Sequence, residues 1–267
     1  MAHLKRYAMP KDWPVARKTE TWIVKPRPGP HSMAGSIPLQ LILRDMLHVA
    51  NSAKEARAIL NSGAILIDKK VRKDPKFPVG LMNIIEIPTS KQYFRVTVGK
   101  NGMKLEKIPG NDAAIKLCRI NGKRKMKGGH EQLNLHDGRN IIAGKKSPYR
   151  AGDSVAIELP GQKIIRHYPL ERGTEAFICA GRNCGAEGKI KGLNPRKGML
   201  EKSTAVIESG GKDIETLIGY IFPGSFRQSR REAHKAEHKT GPKAIAAKTK
   251  PKDIAKPSAK KGKRGSK

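Results

Sequence analysis

Aromatic rings are scarce in this sequence: Phe, Trp and Tyr together make up 4% of 267 residues. Apolar residues reach only 37%, below the usual share of a globular chain. One core spanning the whole length is therefore excluded, and several small cores joined by polar connections are expected. Acidic residues are also few, 23 against 55 Lys and Arg, which leaves a formal net charge of +32. Such an excess repels itself unless a polyanion neutralises it, and nucleic acid and anionic membrane are the common polyanions. No run approaches the roughly 20 apolar residues of a membrane span, and "MAHLKRYAMPKDW" has no apolar stretch of a secretory signal. The cations are spread along the chain and are not gathered on one amphipathic helix with bulky apolar anchors, so nucleic acid is the expected partner and membrane is not. Cysteine is nearly absent: Cys118, Cys179 and Cys184 are too few, and odd in number, for a disulfide framework, which fits a reducing compartment.

What is present divides the chain into five. Residues 1–36 are basic and rich in Pro10, Pro14, Pro26, Pro28 and Pro30, which oppose regular helix and favour an extended arm, either a loose leader or a strap against a large partner. Residues 37–88 read as a compact α/β unit. Ser36 is expected to cap a helix with Pro38 in its first turn and Leu39, Ile42, Leu43, Met46 and Leu47 on one face. Ser52 and Glu55 form S-x-x-E, the start signal of a second helix that Gly63 ends. "AILI", a turn at Asp68-Lys69-Lys70 and "VR" make a small hairpin, and "LMNIIEI" a third strand. Residues 89–170 read as β-rich, with a hairpin at Asn101-Gly102 and a turn at His136-Asp137-Gly138, suggesting a small barrel or sandwich. Residues 171–224 are a further β unit of about five strands. From Arg227 onward fifteen Lys and Arg face three acidic residues, so residues 225–267 are expected to be a disordered basic tail.

Catalytic constellations fare poorly. Cys118 with His136 makes a nucleophile and base only on paper, because no flanking signature surrounds either and Cys118 sits in an apolar strand pattern. His136-Asp137 is explained by the tight turn alone. Cys179 and Cys184 have C-x4-C spacing without a second ligand pair, so no metal site is expected. The glycine-rich Gly181–Gly188 turn lacks G-K-[ST] and opens no helix, which excludes a Walker loop. Its glycines allow close approach of another backbone, RNA among the candidates.

The cations of residues 37–88 are more telling. Lys54, Arg57, Lys69, Lys70, Arg72 and Lys73 are expected on one side, hardly interleaved with acids, whereas a merely solvated surface mixes signs. A rigid helix and hairpin suit folded RNA, recognised by shape, phosphates and 2′-hydroxyls. No helix-turn-helix, zinc finger or basic zipper is present for DNA, and the few aromatics argue against base stacking as the main mode.

"SAKEARAILNSGAILIDKKVRKDPKFPVGLMNIIEI" resembles the alpha-L RNA-binding module, with Asp68-Lys69 where Asp-Gly is usual. "TEAFICAGRNCGAEGKIKGL" is similar to a KOW motif. With "HLKRYAMPKDWPVARK", "KPRPGPH" and "NLHDGRNI", the order of motifs resembles the archaeal and eukaryotic e-type family four of the small ribosomal subunit, over about residues 1–224. The resemblance implies an α+β multidomain chain: a small α/β alpha-L RNA-binding module, a β-rich central domain, an SH3-like KOW β barrel and the disordered basic tail. It implies a cytoplasmic, ribosome-bound structural protein, not an enzyme, that binds small-subunit ribosomal RNA and neighbouring ribosomal proteins, with no cofactor, membrane or small-molecule substrate. It assigns RNA contacts to Lys54, Arg57, Lys69, Lys70, Arg72 and Lys73 in the module, to Arg182, Asn183 and Lys189 in the KOW loop, and to Lys5, Arg6, Trp13, Arg17 and Lys18 in the arm. The competing readings are an RNA-modifying enzyme carrying an alpha-L module, which would need a large catalytic domain, and a KOW-bearing transcription factor.

Overall fold

The computed structural model describes residues 3–196, 198 and 200–224; the basic tail expected at 225–267 lies outside them. The arm is no loose leader. Strand β1 (Leu4–Lys5) pairs antiparallel with β2 (Trp22–Ile23), Lys5 facing Trp22 across the ladder. Between them the chain turns Met9 and Trp13 inward, each 3% exposed, to join Ile23 in one apolar cluster with Leu39, Leu41, Ile42 and Leu43. Prolines prevent helix but not burial: an extended path still places an apolar side chain inward every few residues. Trp13 is thus a core residue of the chain and not a residue offered to RNA, and its burial corrects that assignment.

The first helix starts later than Ser36. Strand β3 (Ser36–Pro38) pairs with a later strand at Pro78–Gly80, which holds this backbone extended, and helix α1 is Leu39–Leu41, followed by a π-helical turn at Ile42–Met46. Ser36 does not cap; its buried hydroxyl donates to the Ser32 carbonyl at 2.7 Å. The open N–H groups of Leu39 and Gln40 instead donate to the carbonyls of Phe77 and Pro75, both at 3.0 Å, which satisfies donors a helix start otherwise leaves unpaired. Helix α2 (Ala53–Asn61) behaves as its signals require. The Ser52 hydroxyl accepts from the Glu55 N–H at 3.1 Å, and the Glu55 carboxylate accepts from the Asn51 N–H, one residue before Ser52. Gly63, at φ +76°, ends it in the left-handed region that glycine enters freely.

Strands β4 (Leu66–Ile67) and β5 (Lys70–Val71) are joined by Asp68 and Lys69, both at positive φ (50° and 64°). This is the mirror-image turn that matches strand twist, ordinarily Asn-Gly or Asp-Gly. After β6 (Pro78–Gly80), β7 (Ile84–Ile87), β8 (Gln92–Gly99) and β9 (Gly102–Ile108) complete a five-stranded sheet in the order β5-β4-β7-β8-β9. Strand pairing therefore runs through the boundary drawn at residue 88. Pro88–Ser90 form a single tight turn, Lys91 takes φ +50°, and Ile87 pairs with Gln92. In the next hairpin the two loop residues are Lys100 and Asn101, with Gly102 at φ +103° beginning β9. The glycine has a second duty: a Cβ there would overlap the Asp12 carbonyl, which accepts from the Met103 N–H.

The remaining strands form two more five-stranded sheets. β10 (Ile115–Lys125), β11 (Glu131–Leu135), β12 (Asn140–Ala143), β13 (Ser154–Glu158) and β14 (Ile164–Tyr168) run in the order β12-β11-β10-β13-β14. The long β10 bulges between Ile120 and Gly122, pairing with β13 before the bulge and mostly with β11 after it. β15 (Glu175–Ile178), β16 (Glu187–Asn194), β17 (Thr204–Ser209), β18 (Lys212–Leu217) and β19 (Ile221–Pro223) run in the order β18-β17-β16-β15-β19. Each has its own apolar cluster, one around Cys118, Leu133 and Val155 and one around Ile178, Ile190 and Ile207. These are the several small cores that the composition requires.

Candidate nucleic-acid interface

Helix α2 sorts its residues by the helical period. Ala56 and Leu60 turn inward, and Lys54, Arg57 and Asn61 are exposed. Lys70 and Lys73 are exposed on the adjoining hairpin and the stretch after it. These four cations share the module without an ion-pair partner among the described residues. Lys69 and Arg72 differ. The Lys69 ammonium lies 3.0 Å from the nearly buried Glu86 carboxylate and over the Tyr93 ring. The Arg72 guanidinium stacks 4.5 Å from the Phe77 ring centroid. Both are held by the fold, and each offers only part of its donor set outward.

Beside them a buried polar junction ties the module to the central sheet, and sequence reasoning missed it. Lys116 on β10 is 0% exposed, and its ammonium lies 2.8 Å from Asp68 and 2.8 Å from Asp137. Arg139 bridges the same two carboxylates at 2.8 and 3.1 Å. Asn83 donates to Asp68 at 2.9 Å, and so does the Ile84 N–H at 3.0 Å. Two carboxylates thus face two cations, all hydrogen-bonded, as burial of charge demands. Burial disfavours the charge on Lys116, but the carboxylates of Asp68 and Asp137 outweigh it and raise its pKa. Burial likewise opposes the Asp137 charge, yet Lys116, with His136 and Arg139, brings it down to about 2. A signal was present: Lys116 alternates in phase with Cys118 and Ile120, the inward face of its strand.

His136 stands at the edge of this junction. Its Nδ1 accepts from the Arg119 N–H at 3.2 Å and its Nε2 lies 3.2 Å from the Leu81 carbonyl, a pattern that only the neutral ring with its proton on Nε2 satisfies at both ends. Burial, then Lys116, depresses its pKa to about 3. Cys118, His136 and Asp137 bring potential ligand atoms within 4.8 Å of one another. The donors are already committed, however. Lys116 and Arg139 occupy Asp137, both His136 nitrogens are engaged, and burial pushes the Cys118 thiol far up, with its hydrogen directed at Asp137, 3.8 Å away. The arrangement serves to lock two sheets together.

A cavity of about 370 Å³ opens over the junction, with Lys70, Arg72 and Arg139 among its lining cations and Gly29-Pro30 of the arm at its edge. In the arm itself, Lys5 and Lys18 are exposed and Arg17 is half-buried. Arg6, which the family resemblance assigns to RNA, is 5% exposed; its guanidinium donates to the Ala16 carbonyl and pairs with Glu20 at 3.1 Å, so it braces the arm's own turn. Arg182, Asn183 and Lys189 are exposed on the last sheet. One glycine of that loop, Gly185, would meet Gly99 Cα at 2.8 Å if it carried a Cβ. The close approach that its glycines permit is, at that position, an approach of the chain to itself. The Cys179 thiol donates to the Tyr220 carbonyl at 3.0 Å. Among the described residues no helix is long and apolar enough to cross a membrane.

Residues 90–164 match the family described as "Ribosomal family S4e", residues 2–34 the "RS4NT (NUC023) domain" and residues 37–85 the "S4 domain". The chain is 44% identical to small ribosomal subunit protein eS4 of Methanothermobacter thermautotrophicus, over 82% of this chain and 90% of that protein. It is 42% identical to the eS4 protein of Aeropyrum pernix over 82% of this chain and 90% of that one. Among solved structures, the 30S ribosomal protein S4e of Thermoplasma acidophilum superposes with a TM-score of 0.62 at 29% identity, covering 72% of this chain and 97% of the other.

Proposed function

The chain belongs to the ribosomal S4e family, and from that membership we propose that it is a structural constituent of the small ribosomal subunit that binds ribosomal RNA and helps it fold. It is a small-subunit ribosomal protein with an RNA-binding S4 domain, and therefore a component of a ribonucleoprotein in translation. Its work is to hold RNA, not to turn over a substrate, in the cytoplasm and on the ribosome, among neighbouring ribosomal proteins. One observation carries this reading: Lys54, Arg57, Lys70 and Lys73 stand exposed on a rigid helix, the adjoining hairpin and the stretch after it, while nearby acids are engaged within the fold, Glu55 by the Asn51 N–H, Asp68 in the buried junction and Glu86 on Lys69.

The chain then divides by task. The arm, 1–36, contributes Lys5, Arg17 and Lys18. The alpha-L module, 37–88, contributes Lys54, Arg57, Lys70 and Lys73, with Lys69 and Arg72 adding the outward part of partly engaged groups. The central unit, 89–170, lends two strands to the module's sheet and the Lys116 lock. Residues 171–224 act as an SH3-like KOW barrel presenting Arg182, Asn183 and Lys189, a reading supported by the five-stranded sheet and the glycine-rich loop between β15 and β16. The tail from 225 adds sequence-independent attraction through its charge.

Binding to a folded small-subunit RNA fragment should weaken steeply with salt, each neutralised phosphate adding somewhat under one unit to the slope of log K against log salt. Arg57→Glu is expected to weaken binding at every salt concentration and to flatten that slope by about one unit. Binding that ignores salt overturns the reading, and an unchanged slope removes Arg57 from the contact set.

A further inference from the structure

Scarcity makes two aromatic residues conspicuous. Of the five Tyr and two Trp in the chain, Tyr7 is 77% exposed and Trp22 is 55% exposed, and both lie on the arm. Trp22 faces Lys5 across the β1–β2 ladder, where directly opposed side chains are neighbours. The His3 ring lies 5.7 Å from it, tilted by 58°. Lys5 also lines a hollow of about 370 Å³ together with Tyr7, Arg17, Lys18 and Glu20. Glu20, the one acid there, is paired with the buried Arg6. Lys5 and Lys18 have no acidic partner among the described residues. Below this surface the hairpin is fixed: Ile23, Met9 and Trp13 are in the core, and the Arg17 guanidinium donates to the Tyr7 carbonyl at 3.4 Å.

An exposed ring costs solubility and gains nothing from the core. One ring opposite Lys5 on the β1–β2 ladder and a second, in the turn that follows β1, sharing a hollow with Lys5, with further cations alongside, match the composition of a single-stranded nucleotide site: flat faces for bases and positive charge for the connecting phosphates. A protein partner would leave Lys5, Arg17 and Lys18 without complement unless it supplied acids in register. An unpaired nucleotide segment supplies a negative charge at every residue.

We propose that the outer face of the arm binds an unpaired stretch of RNA, stacking bases on Tyr7 and Trp22 and holding the intervening phosphates with Lys5, Arg17 and Lys18. The proposal rests on the RNA-binding reading above and adds a second mode to it, recognition of single strand beside recognition of folded shape.

Trp22 is its own reporter, because the other tryptophan, Trp13, is buried. The full chain is titrated with an eight-residue oligouridylate and, separately, with uridine monophosphate, at several salt concentrations, while Trp emission is followed. The oligonucleotide is expected to quench part of the emission saturably, and the mononucleotide to do so only at far higher concentration. Trp22→Phe removes the quenching and keeps the affinity, measured by anisotropy of labelled oligonucleotide. Tyr7→Ala with Trp22→Ala weakens binding by roughly tenfold or more at an unchanged salt slope, as loss of stacked bases does. Lys5→Ala with Lys18→Ala flattens the slope and leaves the quenching at saturation intact. Unchanged emission from Trp13 in each variant shows that the arm remains folded. Absence of quenching in the parent, or a double aromatic variant that binds the oligonucleotide as the parent does, overturns the proposal while leaving folded-RNA binding to stand on its own titration. If the double aromatic variant binds oligonucleotide normally but fails to enter small subunits, the rings face a protein and the proposal is likewise wrong.

Discussion

Replacing Lys116 by Met keeps the volume and removes the charge. In the folded chain the ammonium is 0% exposed and lies 2.8 Å from both Asp68 and Asp137, so its loss leaves the two carboxylates of the buried junction with Arg139 as their one paired cation. Removing one member of a buried charge set costs roughly 3–5 kcal/mol, most of it the penalty of the stranded partner. Arg139 still reaches Asp68 at 2.8 Å and Asp137 at 3.1 Å, which places the expectation near about 3 kcal/mol, the low end of that range. For a chain of this size that is a fall in Tm of about 6–12 °C. Chemical denaturation at pH 7.5, followed by Trp emission from the buried Trp13, measures it. Adding Asp137→Asn to Lys116→Met removes one stranded charge and is expected to restore about 1 kcal/mol or more, a coupling that independent sites do not show. A Lys116→Met chain within about 1 kcal/mol of the parent, or a double variant no better than the sum of its singles, refutes the reasoning.

Acid should destabilise the same junction through His136. Its folded pKa of about 3 lies below the ordinary 6.5, so the unfolded chain binds more protons between those values and stability falls as pH drops from 6.5 towards 3, by an amount on the order of a few kcal/mol. The depressed Asp137 works in the same direction at lower pH. His136→Asn, which retains an acceptor for the Arg119 N–H, should flatten the pH dependence of the denaturation midpoint between pH 7 and 5; an unaltered profile contradicts the assignment. Gly102→Ala places a methyl group against the Asp12 carbonyl in a φ of +103° and should cost about 2 kcal/mol or more; faster proteolysis of the arm reads it out, and parental resistance rejects it. Removal of residues 228–267 should reduce binding to random-sequence RNA more than binding to the folded small-subunit RNA fragment. Equal losses would mean that the tail contributes more than charge.

The arm and the module show what a sequence reveals and where it stops. Ser52, Glu55 and Gly63 state the limits of α2 through local hydrogen bonding and backbone freedom, and the structure keeps them. Ser36 carries the same kind of signal and fails, because pairing of β3 with β6 holds the backbone extended and a long-range contact overrides a local preference. The strand at Ile84–Ile87 was legible, but its pairing with Gln92 across Pro88 was not, since strand partnership is not written in either strand. Charge was legible as a total and not as a placement: Arg6, Lys69 and Lys116 read as cations like any others, yet one braces the arm, one faces Glu86 and one is the centre of a buried network. Only the phase of Lys116 with Cys118 and Ile120 hinted at this.

The most direct test is sedimentation of cell extract through a sucrose gradient with detection of this chain, before and after ribonuclease treatment. Co-migration with small ribosomal subunits, lost on digestion of the RNA, is the expected result. A chain that remains among free proteins at the top of the gradient in untreated extract contradicts the central claim that its fixed positive surface exists to hold ribosomal RNA.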